Sequence, residues 1–375
     1  MSRREDFYKT LDHQTPDNLI LDLGGCPLSS MEGKSMYKLL DYLGYKGVER
    51  ESFLPFGRVP KLDERILEYL DIDTRSVGYI LTPQKSLSKQ ISETEYIDEW
   101  GIRRVFTGMY WEMADNPLKG AVIDDLEKFQ WPDPDSVAES EIDSITERAR
   151  YLWEDTDFVI CGEHPVYGIF ELGCWMCGFD DFLLKMAIDP DFVNRFFEIV
   201  LSYQKRIIEI YYGAIGNYIH YTTSGDDFAT QDSLFFSKEM FKTFITPYFK
   251  ERIDHTKNLT SAAFLHHSCG SVFEIIDELI ACGVEILNPI QPKARGMDFT
   301  ALKNRFGDEI TFHGGIDTQA ILPFGTKEEI EAEVQRAISI LGRDGGYIFA
   351  AAHNIQEDVN PENLVTMFEA ARNAW

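Results

Sequence analysis

The sequence predicts an α/β protein in which eight parallel strands close into a barrel. Eight short, strongly apolar runs end in polar residues or glycine, and segments with helical spacing separate most of them. Near-continuous apolar runs are typical of strands that are covered on both faces. Eight such runs alternating with helices favour a closed (β/α)8, or TIM, barrel over an open sheet.

The predicted strands define where functional groups should lie. They occupy residues 19–25, 76–81, 157–164, 218–227, 261–270, 284–291, 310–317 and 346–354. In a barrel of this kind the active site lies at the carboxyl ends of the strands. The polar residues at those ends are Glu163, His164, Asp226, Asp227, His267, Cys269, Asn288, Gln291, Asp317 and His353. These residues are far apart in sequence, but closure of the barrel would bring them to one mouth.

Predicted helices lie between the predicted strands. Residues 179–216 predict a short and a long helix that are broken near Asp189 and Pro190, and Ser237 is a plausible N-cap for a helix over 237–258. Further helices are predicted over 271–283, 326–342 and 360–375. Glycines at the ends of two of these segments, and a proline in the first turn of the last, are ordinary boundary residues.

The region of about 84–150 interrupts this regular pattern. Residues 98–113 read as a hairpin inserted in the barrel, and 131–136 read as a loop. The sequence contains no internal repeat, low-complexity tract or linker. We therefore expect a single domain over 1–375, with this insert and with helical additions at the N-terminal side.

Charge and composition restrict the partners and the compartment. The chain carries 63 acidic and 36 basic residues, a formal net charge of −27, which disfavours nucleic acid and anionic membranes as partners. The opening residues MSRREDFYKTLDHQ do not resemble a signal peptide, and no apolar stretch is long enough to span a membrane. Six cysteines in 375 residues do not indicate a disulfide scaffold. A cytoplasmic protein with reduced thiols is expected.

The segment AAFLHHSCGSV, residues 262–272, contains the strongest chemical signal. His267 and Cys269 are one residue apart at a strand end, so both side chains can reach one ion, and His353 can approach when the barrel closes. Three protein ligands and an open position are typical of catalytic zinc. The alternative is a histidine that bonds a backbone carbonyl beside a buried thiol.

Longer motifs resemble the uroporphyrinogen decarboxylase superfamily, and most closely its corrinoid-dependent methyltransferase branch. The resemblance covers about 155–375 well and rests on HSCGSVFEIIDELIACGVEILNPIQ, ITFHGGIDTQAILPFGT, GGYIFAAAHNIQEDVNPENL, FELGCWMCGFDDFLLKMAIDP and GDDFATQDSLFFSKEMFKTFITPYFK. It implies a (β/α)8 barrel and a zinc site formed by a His-x-Cys pair and a later cysteine. His267 and Cys269 match the pair, whereas His353 stands in the region of the later cysteine, so the third ligand is open.

The resemblance also separates the branches of the superfamily. The decarboxylases carry an arginine-rich motif near the N-terminus that grips the substrate's carboxylates, but the comparable region here is DLGGCPLSS. Because a polycarboxylate needs cationic partners, decarboxylation of a tetrapyrrole is disfavoured. Trp175 falls where the decarboxylases place an active-site tyrosine and could line the pocket or pack in the core.

Other strand-end residues are weaker candidates, each with a structural alternative. Asp226, together with His353, is a candidate catalytic group, with capping as the alternative for Asp226. The candidate substrate-binding residues are Glu163, His164, Trp175, Asp227, Asn288, Gln291 and Asp317. Solvation, turn formation or core packing could account for any of these.

These observations favour a zinc-dependent methyltransferase. It would move a methyl group between a small methylated compound and the cobalt of a corrinoid on a separate carrier protein. The sequence leaves open the methylated compound, the direction of transfer and the oligomeric state, with a homodimer as one option. The alternatives are a metal-free decarboxylase-like lyase that uses His353 and Asp226, and a non-catalytic barrel that binds a corrinoid or its carrier protein.

Overall fold

The protein is a barrel of eight parallel strands surrounded by helices, which confirms the predicted fold class. The structure is a computed structural model that describes residues 2–46, 61–78, 82–107, 111–163 and 165–375. In chain order the strands are β1 (Ile20–Leu21), β2 (Thr74–Ser76), β3 (Lys89–Ser92), β4 (Glu95–Ile97), β5 (Arg103–Phe106), β6 (Trp111–Asp115), β7 (Val159–Gly162), β8 (Tyr221–Thr222), β9 (Ala263–His267), β10 (Ile286–Ile290), β11 (Thr311–Ile316) and β12 (Tyr347–Ala351).

Strands β1, β2 and β7 to β12 form the barrel. Their order is β1-β12-β11-β10-β9-β8-β7-β2. The two end strands approach each other, because the Asp73 N–H donates to the Leu21 carbonyl at 3.0 Å and the Leu21 N–H donates to the Asp73 carboxylate at 2.8 Å. The sheet is therefore nearly closed, and the carboxyl ends of all eight strands face the same opening.

One strand begins earlier than the sequence predicts. The predicted run starts at residue 76, whereas β2 is Thr74–Ser76 and pairs with β7; residues 79–81 of the run lie outside the described residues. Strand β2 is buried although it begins with polar residues: Arg75 is 2% exposed, and its guanidinium stacks on Phe158 at 3.7 Å from the ring centroid. Arg75 also donates to the Ile72 and Thr74 carbonyls. An apolar-run criterion misses such a strand.

The α-helices agree with the main predicted boundaries. They are α1 (Arg3–Leu11), α2 (Gly33–Tyr42), α3 (Glu64–Tyr69), α4 (Ile123–Lys128), α5 (Glu139–Asp155), α6 (Ile169–Cys177), α7 (Phe179–Ile188), α8 (Pro190–Ile215), α9 (Lys238–Met240), α10 (Thr246–Lys257), α11 (Ile276–Cys282), α12 (Phe299–Phe306), α13 (Ile321–Phe324), α14 (Lys327–Leu341) and α15 (Pro361–Ala374). Asp189 separates α7 from α8 as predicted, and Ser237 caps α9.

Two predicted helices are less regular than expected. A π-helix, Phe241–Ile245, interrupts the helix predicted over 237–258. The helix predicted over 271–283 begins as the 3-10 helix Phe273–Ile275 and ends at Gly283, which has a φ of 102°. Short 3-10 helices also occur at Pro27–Ser29 and Pro134–Ser136. No helix in the described part of the chain is long and apolar enough to cross a bilayer.

The insert forms a small antiparallel sheet with the order β3-β4-β5-β6. The predicted hairpin corresponds to β5 and β6, whose connecting residues 108–110 lie outside the described residues. Trp100 and Ile102 of the insert are buried in the same hydrophobic cluster as Phe196 of α8. The insert thus shares the core of the barrel, while the assignment of 1–375 to a single domain stays a prediction.

Candidate functional site

Strand β9 sends its two consecutive histidines to opposite faces. His266 faces the helix layer, where it is stacked on Phe228 and meets the ring of Phe249 of α10 at a centroid distance of 4.6 Å. His267 faces the barrel interior, where its ring pairs edge-on with that of His353 at 5.9 Å. The alternation of side chains along a strand explains the difference. Of the two, only His267 is directed toward the predicted site.

The three predicted metal ligands come together at the barrel mouth. His267 ends β9, Cys269 lies in the turn after it, and His353 follows β12. One ligand atom of each residue lies within 4.8 Å of those of the other two, and His267 Nε2 is 3.3 Å from Cys269 Sγ. Nitrogen and sulfur ligands of a tetrahedral zinc ion are about 3.5 Å apart, given its usual bond lengths. The donor set and its spacing therefore fit zinc.

The protonation states of His353 and Cys269 are compatible with binding of a metal cation. Burial and the neighbouring His267 lower the pKa of His353 to about 4, so this imidazole is neutral at pH 7 and offers a lone pair. Burial and the charge of Asp227 raise the pKa of the Cys269 thiol well above its ordinary value. The thiol therefore keeps its proton in the metal-free protein, and a bound cation would displace that proton.

Gln291 and Asp227 hold Cys269 in place. The Gln291 amide N–H donates to Cys269 Sγ at 3.4 Å, and its oxygen accepts from the Gly270 N–H at 2.9 Å and from Gln231 at 2.7 Å. The Asp227 carboxylate accepts from the Cys269 N–H at 2.8 Å and lies 3.8 Å from His267 Nε2. Both predicted substrate-binding residues thus border the ligand cluster, and substrate binding by them stays a prediction.

Asn288 is completely buried, and both of its amide atoms are engaged. Its Oδ1 lies 2.5 Å from His267 Nδ1, and its Nδ2 lies 2.6 Å from His313 Nδ1. Since Nδ1 of His267 faces an acceptor, its proton is on Nδ1 and Nε2 is free for a metal ion. This geometry favours a role in which Asn288 orients the candidate metal ligand His267. Direct contact of Asn288 with substrate stays a prediction.

Asp226 holds the start of helix α6. Its carboxylate accepts from the Phe170 N–H at 3.0 Å and from the Glu171 N–H at 2.8 Å, and the residue is completely buried. Burial raises the pKa of Asp226 to about 7, although these two backbone bonds act in the opposite direction. Because both oxygens are engaged at the helix end, the contacts favour the capping alternative, while a catalytic role for Asp226 stays a prediction.

Glu163 is a buried carboxyl group at the end of β7. Ser76 hydrogen-bonds to its Oε1, and burial raises the pKa of Glu163 to about 8. Among the described residues its Oε2 has no hydrogen-bond partner. The neighbouring candidate His164 lies outside the described residues. Glu163 is therefore a neutral carboxylic acid near pH 7, and its contact with substrate stays a prediction.

Asp317 and Trp175 have clear structural partners. The Asp317 carboxylate accepts the N–H groups of Gln319, Ala320 and Ile321 at 3.1 to 3.2 Å, so it orders the turn that precedes α13. Trp175 is partly exposed on α6, meets the ring of Tyr167 at 5.2 Å and lies under the Arg104 guanidinium at 5.1 Å. Substrate binding by either residue stays a prediction.

Sequence reasoning missed four residues around this site. Glu171 lies in the first turn of α6, where burial and the charge of Asp227 raise the pKa of its carboxyl group well above the usual value. Arg104 comes from the insert and pairs with Asp98 at 2.9 Å. Asp22 and His313 are buried in the barrel interior. The last two left one signal, a lone ionisable residue within an apolar strand, in LILDLGG and ITFHGG.

Comparison with known families identifies the family of this chain. The model of the uroporphyrinogen decarboxylase (URO-D) family matches residues 113–374, which include all three candidate ligands. The chain belongs to the uroporphyrinogen decarboxylase family, as the sequence motifs predict. The matched region begins inside the insert and includes strands β7 to β12 of the barrel.

Individual relatives match over shorter stretches. The uroporphyrinogen decarboxylase of Neisseria meningitidis is 32% identical over 84 residues, 21% of this chain and 23% of that protein. That of Chlorobium phaeovibrioides is 24% identical over 139 residues, 36% of this chain and 37% of that protein. The matches thus span well under half of these relatives' lengths. A methyltransferase from Methanosarcina mazei has the same fold, with a TM-score of 0.67 and 15% identity, over 100% of this chain and 99% of that one.

Proposed function

We propose that this protein is a zinc-dependent methyltransferase that moves a methyl group between a small methylated compound and the cobalt of a corrinoid on a separate carrier protein. The observation that carries this proposal is the convergence of His267, Cys269 and His353 within 4.8 Å at the barrel mouth. The shared fold with a methyltransferase is consistent with it.

The ligand set supports a catalytic more than a purely structural metal ion. Three protein donors leave the fourth tetrahedral position for a substrate atom. When bound there, zinc supplies Lewis acidity toward an ether or alcohol oxygen, or holds a thiol as its thiolate. His267 and His353 would hold the ion through neutral imidazoles, and Cys269 through its sulfur. Gln291 would keep that sulfur oriented through its N–H bond.

Acidic side chains beside the three candidate metal ligands could transfer a proton to the leaving group. Asp227 is partly exposed and lies 3.8 Å from His267 Nε2. The raised pKa of Glu171 keeps a proton on that carboxyl group beside Asp227. In this proposal Glu171 is the group that can protonate a departing oxygen or sulfur, and Asp226 positions Glu171 by capping helix α6. The hydrogen bond from the Glu171 N–H to the Asp226 carboxylate, 2.8 Å long, fixes that turn.

A methyl-transfer assay tests the proposal. The zinc-loaded protein is incubated with chemically reduced cobalamin and a panel of methylated ethers, alcohols, amines and thiols, and methylation of the corrinoid is followed by its visible spectrum. We expect transfer from at least one class of compound, and loss of transfer in Cys269→Ala. Lys89→Ala, at an exposed site on the insert, is the control and should behave as the wild type. The reverse reaction is followed with methylcobalamin and the corresponding unmethylated compounds. Absence of transfer in both directions with every class of compound would contradict the proposal.

A second candidate function is a metal-free, decarboxylase-like lyase. The family match and the uroporphyrinogen decarboxylases among the relatives favour it. The Asp227 carboxylate at the ligand cluster disfavours a substrate with many carboxylates, because like charges repel. Turnover of uroporphyrinogen by metal-free protein would establish this alternative.

A further inference from the structure

A line of hydrogen bonds runs from His267 through the barrel interior to β1. His267 Nδ1 lies 2.5 Å from Asn288 Oδ1, Asn288 Nδ2 lies 2.6 Å from His313 Nδ1, and His313 Nε2 lies 2.7 Å from Asp22 Oδ2. These residues come from β9, β10, β11 and the end of β1. Asp22, Asn288 and His313 are at most 1% exposed and His267 is 6% exposed, so water does not compete for these bonds.

The chemistry of the groups gives this line one direction. An ionised carboxylate only accepts, so a His313 ring with one proton carries it on Nε2 and accepts at Nδ1, which agrees with the Asn288 Nδ2 atom that faces His313 Nδ1. Asn288 must therefore turn its NH2 group toward His313 and its oxygen toward His267. His267 must then donate from Nδ1, which leaves the lone pair on Nε2, the atom that lies 3.3 Å from Cys269 Sγ.

Asp22 is held in the form that this direction requires. Burial acts to raise the pKa of Asp22, but the hydrogen bonds from His313 and from the hydroxyl groups of Ser29 and Thr74 act in the opposite direction, and the pKa lies below its usual value. The Gly25 N–H adds a bond to Oδ1 at 2.9 Å. All these partners favour an acceptor at position 22.

We propose that Asp22 and His313 are positioning residues that act through Asn288 to fix the tautomer and ring orientation of the metal ligand His267. This role rests on the metal site of the proposed function. Asp22 sets the direction of the whole line from the opposite side of the barrel. An amide at position 22 could donate as well as accept, so it would permit the reversed line, in which His267 carries its proton on Nε2 and that nitrogen cannot bind a metal ion.

The test uses Asp22→Asn, which keeps the shape of the side chain and removes the acceptor-only charge. The first readout is the histidine tautomer in the metal-free protein, measured by long-range proton–nitrogen correlation spectra of protein labelled at histidine. The second is zinc affinity, measured by competition with a chelating indicator. We expect His267 of the wild type to be protonated on Nδ1. In Asp22→Asn we expect both tautomers, together with zinc affinity weakened about 10- to 100-fold.

A matched control separates positioning from general damage to the fold. Asp6 is also 1% exposed and accepts from the Asp17 N–H and the Asn18 amide, neither of which belongs to the ligand cluster. Asp6→Asn should leave the tautomer and zinc affinity unchanged. If Asp22→Asn does not fold, His313→Gln interrupts the same line at its centre and should weaken zinc affinity to a similar extent.

The outcomes distinguish this proposal from the proposed function. Wild-type protein that binds no zinc would overturn both. Wild-type protein that binds zinc, with equal affinity in Asp22→Asn or with His267 protonated on Nε2, would overturn the positioning role alone and leave the metal site standing. Equal weakening in Asp6→Asn would also overturn it, because the effect would then come from loss of a buried carboxylate in general.

Discussion

Gly168 lies so close to Asp226 that a Cβ atom at position 168 would overlap the carboxyl group. The backbone of Gly168 has a φ of −62°, which any residue can adopt, so space rather than conformation requires glycine there. Absence of a side chain at 168 lets Asp226 reach the N–H groups of Phe170 and Glu171. The Gly168–Asp226 contact thus connects the segment after β8 to the start of α6.

Gly168→Ala should destabilise the protein by about 1 to 3 kcal/mol, because the added methyl group must push Asp226 away from the helix end. Urea unfolding measures the change. The control is Gly213→Ala in α8, where an added Cβ meets nothing within 4 Å. That control should be neutral or stabilising by up to about 1 kcal/mol. Equal unfolding midpoints for Gly168→Ala and the wild type would contradict the packing described.

Glu163 should make stability depend on pH. Its pKa is raised to about 8 in the folded protein, so its contribution to stability is present below the ordinary value near 4.5 and is lost as pH rises through 8. Because a tenfold change in proton affinity corresponds to about 1.4 kcal/mol, the upper bound on this contribution is several kcal/mol. Glu163→Gln should flatten the fall in stability between pH 5 and pH 8, measured by urea unfolding at several pH values. An unchanged slope would contradict the raised pKa.

Arg104 should contribute more to the stability of the fold than its neighbour Arg103. The Arg104–Asp98 pair is buried, with side chains 14% and 2% exposed, whereas the Arg103–Glu95 pair is 42% and 24% exposed. Arg104→Ala leaves the Asp98 charge buried and should cost about 3 to 5 kcal/mol. Arg103→Ala should cost less than about 1 kcal/mol. Thermal and urea unfolding of both variants provide the comparison, and similar losses would show that burial does not set the strength of these pairs.

Zinc binding should release about one proton at pH 8, since the raised pKa of Cys269 keeps its thiol protonated until a cation binds. His353 should contribute no proton, because its pKa is lowered to about 4. Calorimetry in buffers with different ionisation enthalpies measures the number released. Cys269→Ala should release none from this position. A value near zero in the wild type would mean that the sulfur is not a ligand or is already ionised.

The barrel could be predicted from sequence because most of its strands are apolar on both faces. The strands β9 to β12 fall within their predicted runs for this reason. The predicted start of strand β2 was wrong because Arg75 is buried through hydrogen bonds and stacking, which composition does not reveal. The insert was only partly predicted, since its four strands are short and two of them, β3 and β6, are largely exposed.

The candidate site was predictable where residues end strands and hidden where they lie inside them. His267, Cys269 and His353 stand at strand ends, so the fold class alone predicts that they meet. Asp22 and His313 lie within apolar runs, and only closure of the barrel brings the end of β1 next to the interior of β11. Asn288 and Asp226 were found as polar strand ends, but their partners depend on side-chain directions that the sequence pattern does not specify.

X-ray absorption spectroscopy of the zinc-loaded protein examines the proposed site of His267, Cys269 and His353 itself, because it reports the identity and distance of the atoms around the metal ion. We expect stoichiometric zinc with one sulfur neighbour at about 2.3 Å and two imidazole nitrogens at about 2.0 to 2.1 Å. The sulfur should disappear in Cys269→Ala, and one nitrogen should disappear in His353→Ala. A protein that retains no zinc, or zinc surrounded only by oxygen and nitrogen, would contradict a zinc site formed by His267, Cys269 and His353.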